Sequence, residues 1–273
     1  MKIKVFIALI ISAIILALII ICTTVDEPID EPVKEESIEK YLTLDSTTYE
    51  YLTIRTFIIP KGYQVEFVDS AMPTDSNTIL CVAAAFTHKD YAKYDTFDPI
   101  LVANDYVTKG EYKKGYKCSV SMTGGFANIN GEHSFFKGKN NNLLKEAQNN
   151  NGSYFQQNLA IYNGEIQMKT PFSKNKGFKQ SYRFLCELSN GDLAIVEVRG
   201  VPYKAAVIQA LNKPICRTDN SITIKHALYL DMGGWSDGWY RDSRYIYDIN
   251  TDNKIDKIYQ NNHQTNWIVV TKK

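Results

Sequence analysis

The feature that most constrains this chain is a run of about 17 apolar residues, Val5 to Ile21, preceded by Lys2 and Lys4. A run of that length borders on a membrane span, and the lysines before it favour the cytoplasmic side. Residues 1–24 therefore read as an export signal or membrane anchor. Directly afterwards come Asp26, Glu27, Pro28, Asp30, Glu31, Pro32, Glu35 and Glu36. Such a stretch has little to bury, so 25–42 reads as a solvated linker. The foldable body is thus 43–273, expected outside the cytoplasm in the cell envelope and meeting the membrane through the N-terminal segment only. Three fates are open to that segment: an uncleaved anchor, lipidation at Cys22, or cleavage. Ile21 argues against the second, because a small residue is required there, and no A-x-A site supports the third.

The body is large enough to bury a core without staples. The chain's 18 tyrosines and 12 phenylalanines favour strands. Formal net charge is +1 and no long basic run follows residue 25, so nothing points to a nucleic acid partner. Cys81, Cys118, Cys186 and Cys216 are widely and irregularly spaced, without a C-x-x-C pair, which argues against structural zinc. An oxidising compartment permits a disulfide among them, and the spacing does not choose the pairing.

Tyr51 to Ile59 is β-branched and aromatic, Pro60-Lys61-Gly62 breaks it, and Tyr63 to Val68 alternates. Ile79 to Phe86 reads as a strand buried on both faces. Asn140, Asn141 or Asn142 caps a short helix beginning near Leu143. Asn163-Gly164 marks one hairpin and Ser189-Asn190-Gly191-Asp192 another. Pro202 opens a helix whose stripe is Ala205, Ile208, Ala210 and Leu211, and Ala227 to Leu230 follows as a buried strand. Strand, helix, strand in this order predicts a parallel, right-handed crossover. The expected fold class is α+β: a mixed, strongly curved sheet packed with a few helices.

Asp231 closes the strand Ala227-Leu228-Tyr229-Leu230 and is followed by Met232, Gly233, Gly234, Trp235 and Ser236. A strand end fixes a carboxylate, and glycines let the backbone turn sharply against a ligand. The alternative reading is a strand-end turn with a capping aspartate.

Ala227 to Ser236 resembles the Ala-Leu-Asn-Leu-Asp-Gly-Gly-Gly-Ser-Ser signature of the phosphodiester glycosidase family. Cys81 to Thr87 resembles that family's Ala-Ile-Asn-Gly-Gly-Phe-Phe strand. Tyr154 to Glu165 falls where the family has a central hairpin, and the helix at about 203–212 is in family order. The resemblance spans roughly residues 75–245. It implies hydrolysis of a sugar-1-phosphodiester on a glycan or glycolipid. This reaction needs a proton donor, a carboxylate at the anomeric centre and cations for the phosphate. Under the resemblance Asp231 is the first carboxylate and Glu132 the second. Arg199 holds the phosphate, and Gly233, Gly234, Trp235, Ser236, Asn130, His133 and Gln157 contact substrate. Ala84 stands where the family has asparagine, and Met232 replaces a glycine. These two departures carry the alternative of a non-catalytic carbohydrate-binding or envelope-structural protein on the same fold.

No cofactor is expected. Calcium has one weak candidate site, Asp248, Asn250, Asp252 and Asp256, although Tyr259 occupies the position that needs a bidentate acid. The favoured reading of the same residues is the turn of a hairpin between Tyr245-Ile246-Tyr247 and Ile255 to Tyr259. His88, His133, His226 and His263 show no metal spacing.

Overall fold

A computed structural model describes residues 43–49, 52–86, 102–115, 122–167, 180–201, 211, 221–230, 237–242, 245–258 and 264–272. The apolar segment and the linker lie outside these residues, as do Cys118, Cys216 and all but Leu211 of the helix expected at 203–212. Among the described residues no helix is long and apolar enough to cross a membrane. Lys40–Lys273 forms one compact unit.

Strands are numbered in chain order. A seven-stranded sheet runs, in spatial order, β1 (Thr43–Tyr49), β2 (Leu52–Ile58), β13 (Leu193–Val201), β12 (Gln180–Leu188), β14 (Ile224–Tyr229), β10 (Leu159–Tyr162) and β11 (Glu165–Ile166). A six-stranded sheet runs β17 (Lys254–Ile255), β16 (Ile246–Asp248), β15 (Gly238–Arg241), β4 (Thr78–Ala83), β18 (Asn266–Lys272) and β3 (Tyr63–Asp69). A five-stranded sheet runs β6 (Glu111–Lys113), β5 (Tyr106–Thr108), β9 (Ser153–Gln157), β7 (Gly124–Ile129) and β8 (Glu132–Lys137). Helix α1 (Asn141–Asn149) precedes β9 and starts as expected: Asn140 caps it, its Oδ1 accepting from Leu143 N at 3.1 Å.

The α+β expectation is corrected. The fold is mostly β, in three antiparallel sheets, with a single complete helix among the described residues. The expected parallel pairing fails for a specific reason. β13 and β14 do point the same way, but β12 lies between them and pairs antiparallel with both. The crossover therefore skips a place in the sheet, and no parallel ladder forms. Both anticipated hairpins are present: β10–β11 turns at Asn163-Gly164, and β12–β13 turns near Gly191, all three with positive φ.

Packing explains the sheet order. Register aligns Phe57, Ile195, Leu185, Leu228 and Leu159 across β2, β13, β12, β14 and β10. All five are buried in the main core, with Val82, Ile268 and Val270 of the six-stranded sheet and Phe126 and Phe155 of the five-stranded one. Burying each such side chain contributes about 1.5–3 kcal/mol relative to exposure. Alternate residues, among them Ile54, Val196, Phe184 and Ala227, form a second cluster with Leu211. The seven-stranded sheet is thus apolar on both faces. The outer edge of β3 is covered by side chains instead of a strand. Asn128 Nδ2 donates to Val65 O, Thr108 Oγ1 donates to Phe67 O, and Phe67 N–H donates to Ser153 Oγ. Those polar atoms satisfy an edge that would otherwise template further pairing.

Candidate functional site

The two segments that carry the family resemblance contribute to the same core cluster. At the end of β14, Tyr229 N–H donates to Asn158 O and Leu230 N–H to Arg183 O, each at 2.9 Å. The strand is therefore clamped on both sides up to the residue before Asp231. Leu230 packs in one cluster with Ala84 and Ala85, which follow β4. There Ala83 N–H donates to Asp237 O at 3.1 Å and Ala84 N–H to Asn266 O at 3.3 Å. Ala85 N–H donates to Asn266 Oδ1 at 2.6 Å. The chain thus leaves β14 at Leu230 and returns at Asp237, whose carbonyl bonds the end of β4. Close approach at the return requires Gly238, because a Cβ there would lie 2.5 Å from Cys81 O. Asp231, Gly233, Gly234, Trp235 and Ser236 lie outside the described residues.

Beside this junction the core row ends in charge. One pleat beyond Phe57, Ile195 and Leu185, on the same face, stand Arg55, Glu197 and Arg183 on adjacent strands. Glu197 and Arg183 are sealed from solvent. Glu197 accepts from Arg55 at 2.8 Å, Arg183 at 3.2 Å and Arg199 at 3.0 Å. Burial pulls the Arg183 pKa below its ordinary value, against the pull of Glu197. The β16–β17 hairpin closes over the row. Asp252 bonds Arg55 and Arg199, Asn250 Oδ1 accepts from Arg183 at 3.1 Å, and the Ile249 carbonyl accepts from both Arg55 and Arg199. Arg199 lies within β13, paired with Thr53, and not beyond the strand end, and its guanidinium is engaged by Glu197, Asp252 and Ile249 O.

The same hairpin contains the candidate calcium residues. Asp248 Oδ1 accepts from Asn250 N, Thr251 N and Thr251 Oγ1, which makes a tight turn. With Asn250 and Asp252 directed to arginines, the oxygens do not gather around a cation. Asp256 lies just after β17. Among the described residues no group of three or more His, Cys, Asp or Glu side chains could hold a metal.

Glu132 is placed elsewhere. Asn130 and Gly131, with φ of 55° and 84°, form the two-residue turn of the β7–β8 hairpin, in which Ile129 pairs Glu132. At the other end of β7, Gly124 pairs Gln157 and lies against Leu159. Five residues of strand, roughly 17 Å at 3.3–3.4 Å per residue, separate Gly124 from Ile129. Glu132 is exposed at the far tip from the β14 exit, and Asn130 serves the turn. His133 pairs Asn128 across the ladder and stacks on Phe126 at 6.5 Å. Gln157 does lie beside the exit, next to Asn158, but is 2% exposed and accepts from Asn158 N. Trp239 is buried, its Nε1 donating to Pro73 O, and Tyr240 stacks on Tyr247, so both are packing residues. His226 is held between Phe135 and Tyr162, its Nδ1 accepting from Asn163 N, and burial lowers its pKa. Cys81 and Cys186 are free and buried, and burial raises both thiol pKa values.

Sequence reasoning missed the Arg55–Glu197–Arg183 row and the carboxamides Gln264 and Asn266. The first left a signal, a charge set between apolar, aromatic or β-branched neighbours in each of three strands. The second left none.

The fold is similar to that of the zebrafish N-acetylglucosamine-1-phosphodiester alpha-N-acetylglucosaminidase catalytic domain, solved auto-inhibited by its pro-peptide. The TM-score is 0.52 at 11% identity, over 88% of this chain and 85% of that one. A hypothetical protein from Synechocystis matches with a TM-score of 0.44 at 10% identity, over 85% of this chain and 62% of that one. No protein-family model matches the chain, and no curated protein does.

Proposed function

We propose that this chain is an exported hydrolase that cleaves the glycosidic bond of a sugar-1-phosphodiester on an envelope glycan or glycolipid. One observation carries the reading. Two segments read in sequence as parts of a phosphodiester glycosidase, 81–87 and 227–236, bring the ends of β4 and β14 into one core cluster in a fold similar to the zebrafish catalytic domain. The clamped exit of β14 supports Asp231 as the carboxylate at the anomeric centre, since strand ends hold side chains rigidly. Export rests on Lys2, Lys4 and the apolar run behind them. Glu132 has no support from its position as the second acid.

A second reading, a carbohydrate-binding protein without turnover, is favoured by that distance of Glu132 and by Ala84 at the β4 end. The experiment is release of sugar from a panel of synthetic glycosyl phosphodiesters by the full chain and by Asp231→Asn. The hydrolase reading expects turnover that falls at least a hundredfold in the variant. Equal activity in the two proteins removes Asp231 from the chemistry, and no release across the panel leaves the binding protein.

A further inference from the structure

Asn266 and Gln264 frame the end of β4, and both are 0% exposed. Their contacts settle the orientation of each carboxamide. Gln264 Nε2 donates to Asn266 O at 2.8 Å, which leaves Oε1 as the outstanding atom. Asn266 Oδ1 accepts from Ala85 N–H at 2.6 Å, which leaves Nδ2. Gln264 Oε1 and Asn266 Nδ2 are both buried without a hydrogen-bond partner. Each unmade bond costs about 1–3 kcal/mol, and apolar side chains of similar size would avoid it. Buried polar atoms in native proteins are nearly always paired, and Thr265 Oγ1, between these two residues, is a third without a partner, so the cluster calls for a ligand-side explanation. Their location supplies one. β4 itself presents only Ala84 and Ala85 at its exit, and Asn266 bonds the backbone of both.

We propose that Gln264 and Asn266 are sugar-binding residues, with Asn266 Nδ2 donating to, and Gln264 Oε1 accepting from, hydroxyl groups of a neutral sugar ring held at the β4 exit. A hydroxyl both donates and accepts, so it matches an amide donor beside an amide acceptor. Neither group is charged, so the pair selects the polyol part of a substrate and not its phosphate. The ligand's identity as a sugar rests on the glycosidase reading, which this inference deepens.

Calorimetric titration of the full chain with methyl glycosides of common hexoses tests it, together with Gln264→Met and Asn266→Asp. The first variant keeps length and removes the acceptor. The second keeps Oδ1 for Ala85 and removes the donor. At least tenfold weaker sugar binding in both is expected, with the Tm of Gln264→Met no lower than that of the unsubstituted chain. A purely structural role gives the reverse, a lower Tm and unchanged affinity, and overturns the proposal. Failure of the unsubstituted chain to bind any of the glycosides overturns it too. A crystal structure with a bound methyl glycoside needs no variant. A sugar hydroxyl within hydrogen-bond reach of both atoms supports the proposal, and a water there with the sugar elsewhere overturns it. Sugar binding that needs both side chains, without turnover of phosphodiesters, removes the hydrolase reading alone. Turnover and binding indifferent to both substitutions remove this proposal alone.

Discussion

Glu197 lies sealed from solvent with three guanidiniums on its two oxygens. Charges removed from water need good partners, and losing one partner strands the others. Glu197→Gln is therefore expected to destabilise the fold by about 3–5 kcal/mol, read as a shift of the urea unfolding midpoint. A change below about 1 kcal/mol would mean that water already screens the cluster. The charges that matter here were visible in sequence as oddities: Arg55 between Ile54 and Thr56, Arg183 between Tyr182 and Phe184, Glu197 between Val196 and Val198. What sequence could not show is that register sets them side by side, since the partners are 14 and 142 residues apart. Arg199 drew attention as a strand-end cation, yet its guanidinium is engaged by the same glutamate. Gln264 and Asn266 were invisible for a similar reason, because burial and missing partners are tertiary properties.

Elements were legible where local chemistry decides them. Asn163-Gly164 announced its hairpin, and the asparagines 140–142 announced the start of α1 without choosing the cap, because positive φ and an orphan helix N–H are local demands. Asn130-Gly131 carries the same turn signal, but the neighbouring acid and imidazole made 128–133 look like a site loop. The crossover was half right. β13 and β14 run the same way, and the insertion of β12 between them depends on long-range pairing that no local pattern encodes. At the junction of β4 and β15, packing is tight enough to test directly. Gly238→Ala would put a Cβ 2.5 Å from Cys81 O and 3.1 Å from Ile249 Cγ2. Forcing those strands apart should cost about 1–3 kcal/mol, measured by chemical denaturation. A neutral result would show that β15 shifts freely on β4 and that the return from the 231–236 segment is not held rigidly.

At the scale of the molecule, three antiparallel sheets share one core, and the exit of β14 is hydrogen-bonded to Arg183 of the buried charged row. The similarity to the zebrafish catalytic domain, at 11% identity, is one of fold. The proposed chemistry rests on the sequence position of Asp231, directly after a strand whose last two N–H groups are hydrogen-bonded on both sides. Glycosidic hydrolysis and ordinary phosphodiester hydrolysis release similar products but break different bonds. Attack at the anomeric carbon leaves the bridging oxygen on phosphorus, whereas attack at phosphorus adds a water oxygen to the phosphate. Turnover of a glycosyl phosphodiester in water enriched in oxygen-18, followed by mass analysis of the phosphate monoester, separates the two. The account predicts a phosphate product free of label. Label on the phosphate would contradict it.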